Sequence, residues 1–292
     1  MRGRLHFSAL LLMLCCAAGP AWAKLNIVAS FSILGDMVEQ VAGDRAQVTT
    51  IVGPDADAHL YQPNTGDAVA VAEADLVITN GMGFETWSAT LIETSGTDAD
   101  IVIATTGIEP LLVEGETDPH AWNSLTNGII YIDNIEAALS RASPADAALF
   151  RKNADAYRAK LRALHNRALA DIASLPEDKR IVVTAHDAFG YLASAYGLIF
   201  LAPQGIDTEA EPSAKELAEL ISFLNEAGAG ALFVENIANG DLIAQISRET
   251  GIKIGGQIYS DALSVRGSPA TSYLAMFTHN LDLLTSTLAA AQ

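Results

Sequence analysis

The sequence predicts an α/β protein of two lobes, each a four-stranded, mainly parallel sheet flanked by helices, joined by one long rigid helix. Three observations carry this expectation. Eight short apolar or β-branched runs recur along the chain, four in each half. Each precedes a loop and then a helix-like pattern, and continuous apolar strands alternating with helices mark parallel sheets covered on both faces. Between the fourth and fifth runs, apolar residues keep a helical spacing over an unusually long stretch.

The first 23 residues stand apart from this pattern and read as an export signal. Arg2 and Arg4 give a basic start, "FSALLLMLCCAAG" an apolar core of signal length, and "AWA" the small residues at which a signal peptidase cuts. The mature chain is expected to begin at Lys24. Leu14 and Cys15 precede Cys15 and Cys16, where a lipid-attachment site needs a small residue, so release into the periplasm is expected. Both cysteines of the chain fall in this segment, which leaves the mature protein without thiol, disulfide or cysteine metal ligand. Its loss removes two arginines and no acids, taking the formal charge from −18 to −20. That charge argues against nucleic acid as a partner.

The first lobe is expected over residues 24–142. Its strands are read in "KLNIVAS" (24–30), "QVTTIVG" (47–53), "ADLVITNG" (74–81) and "DIVIATT" (100–106). The linking helix is expected over 143–175. Ser143 suits the N-cap, Pro144 the first turn, and Asp146 the positive end of the helix dipole. Phe150, Ala154, Tyr157, Leu161, Leu164, Ala168 and Ile172 then recur at spacings of three and four until Pro176 stops the run. A helix of about 30 residues is roughly 45 Å long. The second lobe, 176–292, repeats the strand pattern in "RIVVTAH" (180–186), "GLIFLAP" (197–203), "GALFVEN" (230–236) and "IKIGGQI" (252–258).

Outside the signal there are five histidines, few enough to weigh singly. His165 lies in the long helix off its apolar stripe and His279 in the last helical pattern; both read as solvated or partly packed helix residues. His59, His120 and His186 all fall on loops after strand ends, where open α/β sheets place their ligand sites. Three imidazoles suit zinc and need one further donor to complete a tetrahedron. Asp261 in "IYSDAL", just beyond the last strand run, is a candidate. Spacings of 61, 66 and 75 residues exclude a local knuckle, so the fold must assemble the site from both lobes.

Enzyme signatures are missing: no HExxH, GxSxG, Walker loop or GxGxxG follows a strand. Four protein ligands would also close a zinc against the water that hydrolysis requires. Glu235 and Asp187 could act as a base in a zinc hydrolase, but strand-end hydrogen bonding or support of a ligand is the simpler role. Asp55 and Asp57 lack EF-hand spacing and are expected to shape the His59 loop or to draw cations to its mouth.

These residues resemble the zinc and manganese solute-binding proteins of bacterial ABC importers, often called cluster A-I. The likeness spans the mature chain and rests on "VASFSILGDMVEQVAGD", "DAHLYQP", "ADLVITNGMGFETW", "DPHAW", "TAHDAFGYLASAYGL", "EAEPSAKELAELI", "LFVEN" and "YSDAL", in that order. It implies two α/β lobes joined by a rigid helix, small motions on binding, and one metal ion held between the lobes. The family's ligands fall on His59, His120, His186 and Asp261, and it is the resemblance that singles out Asp261 among the acids. Manganese members carry glutamate where this chain has His186, so the resemblance implies the zinc subgroup. Many zinc members have a long His-rich insertion before the second ligand; here that segment is only "LLVEGETDPH". The implied function is a periplasmic receptor, not an enzyme, which binds one Zn²⁺ per chain and delivers it to an inner-membrane ABC permease. The receptor is expected to be a monomer, with a periplasmic zinc metallochaperone as a further partner. A manganese or iron carrier of the same family is the near alternative, and a zinc-dependent hydrolase the distant one.

Overall fold

The computed structural model describes residues 24–227 and 230–290. The signal-peptide reading lies outside the described residues. Among them, no helix is long and apolar enough to cross a membrane.

The first lobe runs β1 (Leu25–Phe31), α1 (Ser32–Ala42), β2 (Ala46–Val52), α2 (Thr65–Ala72), β3 (Leu76–Thr79), α3 (Ser88–Ser95) and β4 (Asp100–Ile103). A hairpin of β5 (Leu112–Val113) and β6 (Glu116–Thr117) follows, and then α4 (Leu125–Ala142). The four main strands form one parallel sheet in the order β2-β1-β3-β4. All of β3 and most of β1 are buried, as strands covered on both faces should be.

The second lobe runs β7 (Ile181–Val183), α6 (Gly190–Tyr196), β8 (Ile199–Leu201), α7 (Ala214–Ala227), β9 (Ala231–Glu235), α8 (Asp241–Thr250), β10 (Ile254–Ile258) and α9 (Tyr273–Ala290). Its sheet is also parallel, ordered β10-β9-β7-β8. All eight expected strands are present, four to a sheet. Each sheet reverses its winding at the centre, between β1 and β3 in one and between β7 and β9 in the other, which is where open α/β sheets bind ligands.

Between the lobes, α5 (Ala147–Ala173) spans 27 residues, about 40 Å. Its seven predicted stripe residues are all buried. The start differs from expectation. Ser143 closes α4, and its hydroxyl bonds to the Asp146 carboxylate at 2.8 Å, so the new helix begins only after Asp146. Nor is α5 a free-standing strut, because it packs on α1, α4 and α9. A single apolar core therefore runs from Ile27 and Leu34 through Tyr157 and Leu161 to Phe277 and Leu284. Opening the lobes widely would expose part of that core, at roughly 25 cal/mol for each Å² of apolar surface.

The segment before His120 is the hairpin β5–β6, which the sequence reading did not foresee. Glu114 and Gly115 form its two-residue loop at φ 53° and 93°, the left-handed pair that matches the twist of the flanking strands. A hydrogen bond from the Asp118 amide to the Leu111 carbonyl, 2.9 Å, closes its base.

Candidate metal centre

The structure brings His59, His120, His186 and Asp261 together: one ligand atom from each lies within 4.8 Å of every other. His59 Nε2 is 3.4 Å from His120 Nε2. Asp261 Oδ2 stands 3.1 Å from His186 Nε2, 3.3 Å from His59 Nε2 and 3.7 Å from His120 Nε2. A tetrahedral zinc with bonds of 2.0–2.1 Å has donor separations of about 3.3 Å. Four of the six separations therefore stand close to the edges of such a tetrahedron, and the other two lie within 4.8 Å. His165 and His279 lie elsewhere, bonded to the Tyr196 hydroxyl and the Gln257 carbonyl at 3.0 Å each.

Each side chain is placed by its local turn. His59 follows β2 in the loop 53–63. Asp57 accepts the His59 amide at 2.8 Å, the Trp87 indole holds the Ala58 carbonyl at 2.9 Å, and the Tyr61 hydroxyl bonds Asp67 at the start of α2. Asp55 crosses to the other lobe. Its amide donates to the Leu263 carbonyl, and its carboxylate accepts from Asn236 Nδ2 at 3.0 Å and the Val265 amide at 3.1 Å. Both aspartates of "PDADAH" thus shape and fasten the loop.

His120 follows the hairpin. Asp118 Oδ1 accepts its backbone amide at 2.9 Å and its ring Nδ1 at 2.8 Å, which turns Nε2 toward the centre. Asp118 had no role in the sequence reading; the two-residue spacing Asp-x-His, shared with Asp57–His59, was the signal available. His186 lies beyond β7, one of the two strands flanking the second sheet's reversal, and Glu235 ends β9, the other. Glu235 Oε1 accepts the amides of Ala185 and His186 at 2.8 and 3.0 Å, while its Oε2 sits 2.7 Å from His186 Nδ1. The direction of that last contact is poor for a hydrogen bond, and it is an ion pair only while His186 carries a proton. Glu235 therefore fixes the His186 backbone and lies against its ring.

The site is dry. His120, His186 and Asp261 have no exposed surface, whereas His59 is 7% exposed and marks the solvent side. Phe84 lies edge-on to His59 at 4.9 Å and Trp122 packs at 5.3 Å from His120. Burial works to lower the pKa of His120, but the Asp261 charge and the Asp118 hydrogen bond prevail and raise it to about 9. His186 behaves alike: burial opposes its charge, and Glu235 and Asp261 lift its pKa well above the usual histidine value. Asp261 shows the reverse. Burial would raise its pKa, and the imidazoles of His120 and His186 hold it well below the usual carboxylate range. A divalent ion on three neutral imidazoles and one carboxylate would leave a net charge of +1; Asp118 and Glu235 lie buried against the His120 and His186 imidazoles.

A family model described as "Zinc-uptake complex component A periplasmic" matches residues 27–287. The chain belongs to this family. It is a metal-binding, substrate-binding component of an ABC transporter and not an enzyme, so the hydrolase alternative finds no support. Among relatives, the manganese-binding lipoprotein MntA of Halalkalibacterium halodurans is 34% identical over 266 residues, 90% of this chain and 88% of that one. The iron-binding protein YfeA of Yersinia pestis is 34% identical over 268 residues, 89% and 85% of the two chains. The periplasmic zinc binding protein TroA of Treponema pallidum superposes with a TM-score of 0.88 at 29% identity, covering 91% of this chain and all of that one. Three relatives named for three metals leave the ion to be argued from the site itself.

Proposed function

We propose that this chain is the periplasmic zinc receptor of an ABC importer, which captures one Zn²⁺ on His59, His120, His186 and Asp261 and hands it to the inner-membrane permease. The observation that carries the reading is the donor set: three imidazole nitrogens and one carboxylate oxygen, buried, all within 4.8 Å of one another and four of their six separations at 3.1–3.7 Å. That set suits a small tetrahedral ion with a liking for nitrogen, whereas manganese prefers more numerous oxygen donors. One chain supplies all four donors, which fits a monomer. A periplasmic metallochaperone as the zinc donor is compatible with His59 lying at the solvent side.

The second reading is a manganese or iron carrier, favoured by the names of the relatives MntA and YfeA. Competition separates the two. The stripped protein is offered equal zinc and manganese, and native mass spectrometry counts what binds. One tightly held zinc, lost in the His59→Ala, His120→Ala and His186→Ala variants, is the expected result. Preference for manganese would overturn the zinc assignment, and retention of zinc by all three variants would overturn the ligand set.

A further inference from the structure

Two successive carbonyls precede His120, and each is held from a different lobe. The Pro119 carbonyl accepts from Asn80 Nδ2 at 2.9 Å, and Asn80 is itself fixed within the first lobe by the Tyr131 hydroxyl and by its own carbonyl's bond to Thr105 Oγ1 at 2.6 Å. The Asp118 carbonyl instead accepts from the Tyr191 hydroxyl, 3.0 Å away, on α6 of the second lobe. The same hydroxyl accepts the Leu111 amide at 3.0 Å. Tyr191 therefore ties down both ends of the hairpin 111–118 from across the cleft, and it is 4% exposed.

The surroundings fit this contact closely. A Cβ on Gly190 would lie 2.6 Å from Asp118 Oδ2, so the start of α6 presses against the carboxylate that orients His120. The Asn123 side chain, just past His120, donates to the Ala188 carbonyl at 2.9 Å. Residues 186–191 thus carry one proposed ligand at their beginning and grip the segment of another at their end.

We infer that Tyr191 is a positioning residue for metal binding: its hydroxyl fixes the Asp118 peptide from the opposite lobe, and through the Asp118 carboxylate it sets the His120 imidazole. The inference rests on the ligand set proposed above. Any shift of the second lobe pulls the Asp118 carbonyl one way while Asn80 holds the Pro119 carbonyl in place, so the peptide between them turns and His120 leaves the ion. Lobe movement is thereby converted into loss of one ligand without wide opening.

Tyr191→Phe keeps the packed ring and removes the hydroxyl. It should weaken zinc binding by about tenfold, the lower end of what loss of ligand support costs. The test is a pair of double-mutant cycles, with zinc affinity read by competition against a chromophoric chelator and the melting temperature of each stripped variant recorded. Tyr191→Phe should cost about tenfold in the wild-type and His186→Ala backgrounds and nothing further in His120→Ala, because it acts only through His120. A cost in the His120→Ala background equal to that in His186→Ala, or no cost in the wild type, would overturn the coupling while the ligand set stands. If His120→Ala alone leaves zinc affinity intact, the ligand set fails and the coupling falls with it.

Discussion

Residues 57–59 and 118–120 are the same three-residue turn, Asp-x-His, used to different ends. In both, the aspartate accepts the amide of the histidine two residues on, at 2.8 and 2.9 Å. At 118–120 the same oxygen also reaches ring Nδ1, so the carboxylate fixes the imidazole as well as the backbone. At 57–59 the other oxygen takes the Thr208 hydroxyl of the second lobe at 2.5 Å, and among the described residues no carboxylate meets the His59 ring at Nδ1. One turn orients an imidazole; the other fastens a loop. Spacing alone sets the backbone, and the chemistry follows from where the remaining carboxylate contacts go.

The largest expected effect is on pH dependence. His120 and His186 are the rings paired with carboxylates, and both have raised pKa values. A metal must displace a proton from each. Two protons for one divalent ion leave the buried charge unchanged, and affinity should fall by about a hundredfold for each pH unit below neutrality. Proton release on zinc binding, followed with an indicator dye in weak buffer at pH 7, should approach two per ion. Asp118→Asn removes one of the two carboxylates beside His120 and should lower the count. A count near zero in the wild type would break the link between carboxylates and protons.

Next in size is the direct comparison of the two aspartates. Asp118→Ala should lower zinc affinity by about 10–100-fold, as for other residues that orient a ligand. Asp57→Ala loses a backbone contact and the Thr208 bond, so it should cost stability by about 1 kcal/mol and affinity much less. Equal losses of affinity would show that the turn matters and the Nδ1 contact does not. Gly190→Ala should follow, with an affinity loss below that of Asp118→Ala, since the new methyl group displaces the carboxylate without removing it. Unchanged affinity there would show that α6 can give way.

The same carboxylate logic explains what could and could not be read from the sequence. The runs of apolar residues located all eight strands of the two parallel sheets but overran several of their ends. "ADLVITNG" continues past Thr79 in composition, yet the amides of Asn80 and Gly81 donate to the Glu85 carboxylate instead of to a neighbouring strand. In the other lobe "RIVVTAH" outlasts β7, because the amides of Ala185 and His186 donate to Glu235. Each lobe ends a central strand on a buried glutamate far away in sequence or across a turn, and no local period records that. The histidines were legible because they are few and lie after strand ends. Asp261 was legible only through the family resemblance, being one acid of 35. Asp118 was overlooked because its role depends on the direction of one carboxylate.

The smallest expected effect is on the stability of the stripped protein, and its sign is diagnostic. The fold raises the His120 pKa from 6.5 to about 9, so the stabilisation from its charged form is complete below pH 6.5 and is lost as the pH climbs through 9. Asp261 works in the opposite sense: its pKa is depressed, so its share is complete above about pH 4 and is lost only in acid. The stripped protein should therefore melt at progressively lower temperature between pH 6.5 and 9, by about 2–4 °C for each kcal/mol removed. The zinc-loaded protein should show no such fall over the same window: the metal has replaced the proton, the unfolded histidine is also neutral above pH 6.5, and the rise in affinity offsets the loss seen in the stripped form. Melting curves of the two forms that ran parallel across this window would mean that His120 does not hold the proton, and the distinction between the two Asp-x-His turns would then be one of geometry alone.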